Sequence, residues 1–437
     1  MGAFCAQFMA SNPAVLLNKR KRFASFLRRT ADGTLFTRPN IAPEWVAHLH
    51  YAPPMFGVLQ SSYDDVEAEL NEMRSRNGHL KILFVGGDGL SILRINHLLR
   101  NHPDLYLEST PIVVPVQGEA PHGVYHVMHG GWRLYIRFIR ACVRAPNVGG
   151  VGGQQDKATK DDPSVKDFNT HIYLLWKLTR AAGEYLLVLS NTPGAIDFDQ
   201  TSEFIEAAEE NIDLAWLVHF LYDFAYLVLE FKQDVRGCES QHLDLLWTEY
   251  FATAHTGTAN KIHYTTMAVM RVWWAQAMTP QLASLYHKIR SLPMSNNKGV
   301  KVGWDTPIEW LNGAITAGVE KLVSESRIEN FIERFPLLQH NYNVLRAEFF
   351  SRAEHHSWMK SMETDVNHWK AFFIEKIGRN WQQATSRNTT SKLGITRGTP
   401  PWEEVRTTMH KHGRDSVAHY VAEHARNLTS NFYNWAP

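Results

Sequence analysis

The sequence has few cysteines and almost no excess charge. Its 437 residues include 3 cysteines, and none forms a Cys-x-x-Cys pair, so a disulfide framework and a structural zinc finger are both excluded. The 45 basic and 44 acidic residues give a net charge of +1, which argues against a uniformly basic nucleic-acid-binding surface. A local basic groove is still compatible with this total, because charges can be segregated within a neutral protein.

Motifs of several enzyme classes are also missing. The sequence contains no Gly-x-Ser-x-Gly nucleophile motif, no kinase motif set and no His-Glu-x-x-His zinc motif. The glycine-rich segment 147–162 lacks the Lys-Ser/Thr pair of a phosphate-binding loop. These absences exclude the most easily recognised hydrolases and nucleotide-binding enzymes.

An uninterrupted membrane-spanning stretch is missing as well. The longest apolar segment, 212–231, contains Asp213, His219, Asp223 and Glu230, and these side chains would be costly in hydrocarbon. We therefore predict a buried helix there and no membrane partner.

Hydrophobic residues are abundant. They make up 44% of the chain and include 14 Trp, 15 Tyr and 22 Phe, a composition that excludes a disordered chain. Two short apolar runs, 81–85 and 112–116, read as buried strands, and helices are predicted at 62–76 and 90–100. A strand, a helix and a second strand within about 35 residues predict a βαβ unit.

The rest of the chain has helical periodicity, so the predicted fold class is mostly α with a small α/β core. Further helices are predicted at 13–29, 122–143, 165–190, 200–233, 239–256, 260–278, 280–291, 306–324, 327–352, 355–377 and 402–427, with a loop at 293–303 and flexible linkers at 147–162 and 387–401. The predicted organisation is an N-terminal basic helix and connection (1–50), the α/β core (51–145), a linker (146–163), a helical insertion (164–303), a helical return to the core (304–380), and a linker with a C-terminal helix (381–437).

A basic run extends from Lys19 to Arg22. It is typical of a nuclear localisation patch, and it is equally typical of the solvated face of a helix. The nucleus is therefore one predicted location, and the cytoplasm is the alternative.

Two acidic positions are candidate ligands for a metal. Asp88 comes directly after the first predicted strand, where α/β sheets place ligands, although an aspartate there can simply cap the next helix. Glu309 and Asn312 share one helix face, but Thr306 and Glu309 also fit a capping box.

Three histidines, His122, His126 and His129, follow Glu119 at helical spacing. Together they could ligate zinc, although a partly buried polar stripe explains the same pattern. A further set combines basic and aromatic side chains, as contacts to a nucleic-acid backbone require, and a solvated helix face beside core aromatics is its alternative explanation. This set is Arg133, Arg137, Arg140, Lys261, His263, Tyr264, Arg271, Trp273 and Trp274.

Four short blocks, in this order, resemble a transposon-derived family of unknown function that is similar to the Kyakuja-Dileera-Zisupton transposases of mobile elements. The blocks are 85–91 with Arg94 behind it, Gly118-Glu119 with His122, 260–264, and 309–312. The resemblance spans residues 55–350. It implies a partial RNase-H-like sheet that bears a large helical insertion.

In such a core, carboxylates hold two divalent cations, Mg²⁺ or Mn²⁺. One cation activates water or a 3′ hydroxyl, and the other stabilises the leaving oxygen. The resemblance implies that Asp88 and Glu309 are the metal ligands and that Glu119 joins them as a third catalytic carboxylate. It also implies that DNA is the partner, and the residues predicted to contact it are Arg94, Arg133, Arg137, Lys261, Tyr264 and Asn312. A homo-oligomer is compatible with the sequence, but the sequence does not determine the oligomeric state.

The sequence departs from the family pattern upstream of residue 81. The first carboxylate of such a core lies on the opening strand of a meander, whereas Asp64 and Asp65 fall on a predicted helix. Three hypotheses follow: a metal-dependent nuclease or strand-transferase, a catalytically inactive helical module that binds DNA or protein, and a histidine-based metalloenzyme.

Overall fold

The computed structural model describes most of the N-terminal half and the segments that pack on it. The described residues are 13–37, 63–87, 89–117, 122–145, 168–237, 242–243, 245–247, 249, 279–293, 301–303, 324, 326–327, 330, 334, 355–396 and 398–408.

The described elements are mainly helices. In chain order they are α1 Pro13–Ala31, α2 Tyr63–Arg76, β1 Ile82–Gly87, α3 Gly89–Asn101, α4 Pro103–Tyr106, β2 Ile112–Gln117, α5 His122–Val143, α6 Phe168–Ser190, α7 Thr201–Glu209, α8 Ile212–His219, α9 Tyr226–Gly237, α10 Pro280–Ile289, β3 Ser291–Pro293, β4 Lys301–Gly303, α11 His355–Lys376, α12 Trp381–Ala384 and α13 Pro401–Thr408. The fold is mostly α with a small α/β core, as the sequence predicts.

The α/β core contains the predicted βαβ unit. Strands β1 and β2 are parallel and in register, from Ile82 opposite Ile112 to Gly87 opposite Gln117. Helix α3 connects them and packs against both strands. The small core beneath them consists of Leu70, Val85, Ile95, Leu98, Leu99, Tyr106, Leu107, Val113 and Val114.

A second and larger hydrophobic core joins α1, the helices α5 to α9 and the helices α11 to α13, which we call the helical body. Helix α5 shows why these segments are helical, because its buried residues recur every three or four positions and form one apolar face. That face consists of Val124, Val127, Met128, Trp132, Tyr135, Phe138, Ile139 and Cys142. At its end the indole of Trp369, on α11, donates a hydrogen bond of 2.9 Å to the carbonyl of Cys142.

The predicted helix 200–233 is divided into two helices, which corrects that prediction. Helix α7 ends at Glu209, and the side chain of Asn211 caps α8 by accepting from the backbone N–H groups of Asp213 and Leu214. The apolar periodicity continues through this break, so the pattern alone conceals it.

The chain is helical throughout from Ile212 to Val235, and its middle part, Phe220–Ala225, is π-helical. The continuous helix is long and apolar enough to cross a membrane by length and composition alone. However, 83% of its most apolar window is buried inside the protein. The predicted buried core helix is therefore confirmed.

Two regions predicted as a loop and a flexible linker are more ordered than expected. The flanks of the predicted loop 293–303 form a short antiparallel hairpin of β3 and β4. The predicted flexible linker 387–401 packs on the helical body, because the buried carboxylate of Asp213 accepts hydrogen bonds from Ser391 Oγ (2.6 Å) and from the N–H of Lys392 (2.7 Å).

Candidate functional site

Two of the predicted metal ligands follow, in sequence, the carboxyl ends of β1 and β2. These strands end at Gly87 and Gln117, which are direct neighbours in the parallel pair. Asp88 is the next residue after Gly87, and Glu119 comes two positions after Gln117.

Most of the predicted site residues lie outside the described residues. This group consists of Asp88, Glu119, Glu309, Lys261, Tyr264 and Asn312. Their mutual arrangement stays a prediction. Asp64 and Asp65 belong to helix α2, as predicted, and not to a strand.

The predicted DNA-contacting arginines have different environments. Arg133 on α5 is exposed, and Arg94 on α3 is half-buried. Arg137 is half-buried and has partners within the protein, because its guanidinium lies 5.2 Å from the ring centre of Trp216 and donates a 2.5 Å hydrogen bond to the carbonyl of Thr399. Arg137 therefore connects α5 to the segment that precedes α13.

The predicted histidine stripe begins helix α5. Only its third member, His129, has a described side chain, which is half-buried with its ring centre 5.8 Å from that of Tyr125. The side chains of His122 and His126 lie outside the described set, so the stripe stays a prediction.

A cluster that sequence reasoning missed lies between α1 and the long helix 212–237. Basic residues of α1 meet acidic or phenolic groups of the long helix, and the contacts follow the same order along both helices. Lys19 Nζ is 3.3 Å from Asp223 Oδ1, Arg22 Nε donates to Tyr226 Oη at 3.0 Å, and Arg29 Nη1 donates to Glu230 Oε1 at 2.9 Å. We call this arrangement the ionic ladder.

The ladder changes the interpretation of the basic run. Lys19 is only 9% exposed, and Arg22 is half-buried, whereas Arg20 and Lys21 face solvent. Arg20 nevertheless hydrogen-bonds to Tyr222, so three of the four basic residues of the run contact the long helix. The predicted helix is present, but its basic side chains do not form one solvated face.

His219 is the centre of a buried hydrogen-bonded group at one end of the ladder. Its Nδ1 is 2.8 Å from Asp223 Oδ2, its Nε2 is 3.0 Å from Glu209 Oε1, and its ring stacks on Trp402 at a centroid distance of 4.4 Å. Tyr135 Oη donates to the same Asp223 oxygen at 3.2 Å. This group connects α5, α7, the long helix and α13.

The charges in this group shift one another's pKa values. Burial alone would raise the pKa of Asp223, but Lys19 and His219 outweigh it and lower that pKa to about 2. Burial alone would lower the pKa of His219, but its hydrogen bonds to Asp223 and Glu209 outweigh it and raise that pKa. Asp223 is therefore ionised near neutral pH, and protonation of His219 is favoured.

A second acidic group lies further along the long helix. Glu230 and Asp234 are one helical turn apart, and His242 approaches both from the segment beyond α9. His242 Nδ1 is 2.6 Å from Asp234 Oδ2 and 4.0 Å from Glu230 Oε2. One ligand atom from each of the three residues lies within 4.8 Å of the others, a separation that a single metal ion could bridge.

Sequence reasoning had a signal for both groups and did not use it. His219, Asp223, Tyr226, Glu230 and Asp234 follow the spacing of one helix face inside an otherwise apolar segment. A polar stripe on a buried helix requires partners, and the basic positions of α1 supply several of them.

Comparisons with protein-family models, with curated proteins and with solved structures return no significant match to this chain. The interpretation of both sites therefore rests on their own geometry and on the sequence.

Proposed function

We propose that this protein is a transposase-derived protein that binds Mg²⁺ or Mn²⁺ at the carboxyl edge of β1 and β2 and acts on DNA. The observation that supports the proposal most strongly is the register of the two strands. Because they are parallel and end side by side at Gly87 and Gln117, the chain leaves both strands at the same edge of the sheet, next to Asp88 and Glu119 in sequence.

The chemistry of that edge suits a divalent cation. Carboxylate oxygens are ligands that Mg²⁺ and Mn²⁺ prefer. In the proposed arrangement Asp88 and Glu309 bind the metal and Glu119 joins them. Bound there, one cation would activate a water or a 3′ hydroxyl for attack on a phosphodiester, and a second cation would stabilise the oxygen that leaves.

The proposed role of Arg133 is to hold the DNA backbone. Arg133 is exposed on α5, the helix that begins shortly after the sheet edge. A guanidinium there would neutralise phosphate charge without reading sequence. Arg137 has less freedom for this role, because Trp216 and Thr399 already occupy its guanidinium.

A cleavage assay tests the enzymatic part. Labelled DNA is incubated with the full chain and Mn²⁺ or Mg²⁺, and the variants Asp88→Asn, Glu119→Gln and Glu309→Gln are compared with Asp104→Asn, which changes an exposed aspartate on α4. We expect metal-dependent cleavage that Asp88→Asn and Glu309→Gln abolish and Asp104→Asn preserves. Unchanged cleavage in both Asp88→Asn and Glu309→Gln would show that the site is wrongly assigned.

A second candidate function is favoured by the small size of the sheet. Among the described residues only two strands form it, and α2 occupies the sequence region where a complete core would have its first carboxylate. This arrangement suits an inactive derivative that binds DNA without cutting it.

Cleavage separates the two candidates, and a binding assay tests the DNA contact that they share. The second predicts no cleavage, but DNA binding that weakens as the salt concentration rises. In Arg133→Gln the slope of the logarithm of the binding constant against the logarithm of the salt concentration should become shallower by about one unit. An absence of both cleavage and binding would contradict both candidates.

A further inference from the structure

We propose that Glu230, Asp234 and His242 form a binding site for one divalent transition-metal ion in the helical body. The site is separate from the sheet edge of the proposed function, and it uses different residues and a different class of metal. The geometry of its three donors is the basis of the proposal.

The donors come from two parts of the chain that the fold brings together. Glu230 and Asp234 lie on one face of α9, one turn apart. His242 lies beyond α9, at the start of the next helical residues that the structure describes. A metal bound by all three would connect the end of the long helix to this next segment.

The distances fit a single ion. With metal–ligand bonds of about 2.1 Å, neighbouring ligands in a tetrahedral site lie about 3.4 Å apart. The observed separations from His242 Nδ1, 2.6 Å to Asp234 Oδ2 and 4.0 Å to Glu230 Oε2, lie on either side of that value. A small shift of the His242 ring, which is 27% exposed, would therefore equalise the two distances.

The surroundings hold the donors in place. The side chains of Glu230 and Asp234 are 3% and 4% exposed, so they have little freedom to turn away. Arg29 donates to both oxygens of Glu230, at 2.9 and 3.2 Å, which fixes that carboxylate as outer hydrogen bonds fix metal ligands in known sites. The nearby carboxylate of Glu249 is paired with Arg22, so Glu249 has its own counter-charge.

The mixture of donors indicates the class of metal. One imidazole nitrogen with two carboxylate oxygens suits Zn²⁺ and the similar ions Co²⁺, Ni²⁺ and Fe²⁺, whereas Mg²⁺ and Ca²⁺ prefer oxygen alone. Three protein ligands leave one position of a tetrahedral ion open. His242 is 27% exposed, so water can reach that position.

The test measures Zn²⁺ binding to the full chain by calorimetry, together with the visible spectrum of the Co²⁺-loaded protein. We expect one site whose affinity falls at least tenfold in His242→Gln and in Asp234→Asn, with loss of the Co²⁺ bands. His79→Gln, at an exposed histidine, is the matched control and should bind as the wild type does.

Several results would overturn the proposal. Equal Zn²⁺ affinity in wild type and in both variants would show that surface histidines bind the ion, and an absence of binding would show that there is no site. Circular dichroism shows whether each variant is folded, and Asp234→Asn, which preserves shape, replaces His242→Gln if the latter is not. Asp88→Asn should leave Zn²⁺ binding unchanged, so this test and the test of the proposed function can fail independently.

Discussion

Asp223 is the residue whose removal tests the ionic ladder most severely. Asp223→Asn preserves the shape of the side chain but removes the charge that Lys19 and His219 face at 3.3 and 2.8 Å. Both partners are more than nine-tenths buried, so each would lose its counter-charge in a place that water barely reaches. We therefore expect a large loss of stability.

Two independent arguments give the magnitude. Removal of one partner of a buried ion pair costs about 3–5 kcal/mol, and the lower end applies because 21% of the Asp223 side chain is exposed. The pKa shift from 3.8 to about 2 corresponds to about 2 kcal/mol at neutral pH. The expected loss in the free energy of unfolding is therefore about 2–3 kcal/mol.

The stability should also depend on pH in a defined way. The pKa of Asp223 is lower in the folded protein, so its contribution is present above its ordinary value of 3.8 and is lost as pH falls through about 2. The pKa of His219 is higher in the folded protein, so its contribution is complete below 6.5 and is lost as pH rises through the raised value. Asp223→Asn should flatten both dependences.

Urea unfolding followed by circular dichroism, across a pH series, is the assay. Asp199→Asn is the control, because its ion pair with Arg28 is exposed on both sides and should contribute less than about 1 kcal/mol. The double variant Lys19→Met with Asp223→Asn should lose less than the sum of the single variants. If Asp223→Asn is no less stable than Asp199→Asn, the ladder does not stabilise the fold as argued.

Two further predictions concern the packing of the helical body. Asp213→Asn should weaken the attachment of residues 391–393 and speed amide hydrogen exchange there, because the carboxylate accepts from Ser391 and from two backbone N–H groups; unchanged exchange would refute this. Gly131→Ala should destabilise the protein by about 1–3 kcal/mol, because a Cβ at Gly131 would overlap the ring of Phe224, whereas one at Gly78 would meet only ordinary contacts. Equal melting temperatures of Gly131→Ala and Gly78→Ala would contradict this prediction.

The sequence predicted element types well where periodicity was strong. The βαβ unit and helices α1, α5, α6 and α11 lie within a few residues of their predicted bounds, because apolar spacing decides helix or strand locally. The break at Asn211 was missed, because a single capping side chain does not interrupt the apolar pattern.

Long-range partners were beyond the reach of the sequence. The charges of Lys19 and Asp223 are 204 positions apart, and nothing local indicates that they meet. The acidic residues of the long helix favoured a buried helix, and 83% of its most apolar window is buried. Their role required knowledge of the helix that packs on them. The predicted sheet-edge site rests on strand order and on a family resemblance, and it stays a prediction at Asp88, Glu119 and Glu309.

The most direct test of the central claim, a divalent cation at the carboxyl edge of β1 and β2, is Mn²⁺ binding followed by electron paramagnetic resonance. The measurement uses the full chain in the His242→Gln background, which removes the proposed site in the helical body. We expect this protein to bind Mn²⁺, and we expect that adding Asp88→Asn abolishes the binding whereas adding Asp104→Asn does not. Equal Mn²⁺ binding with and without Asp88→Asn would contradict this claim.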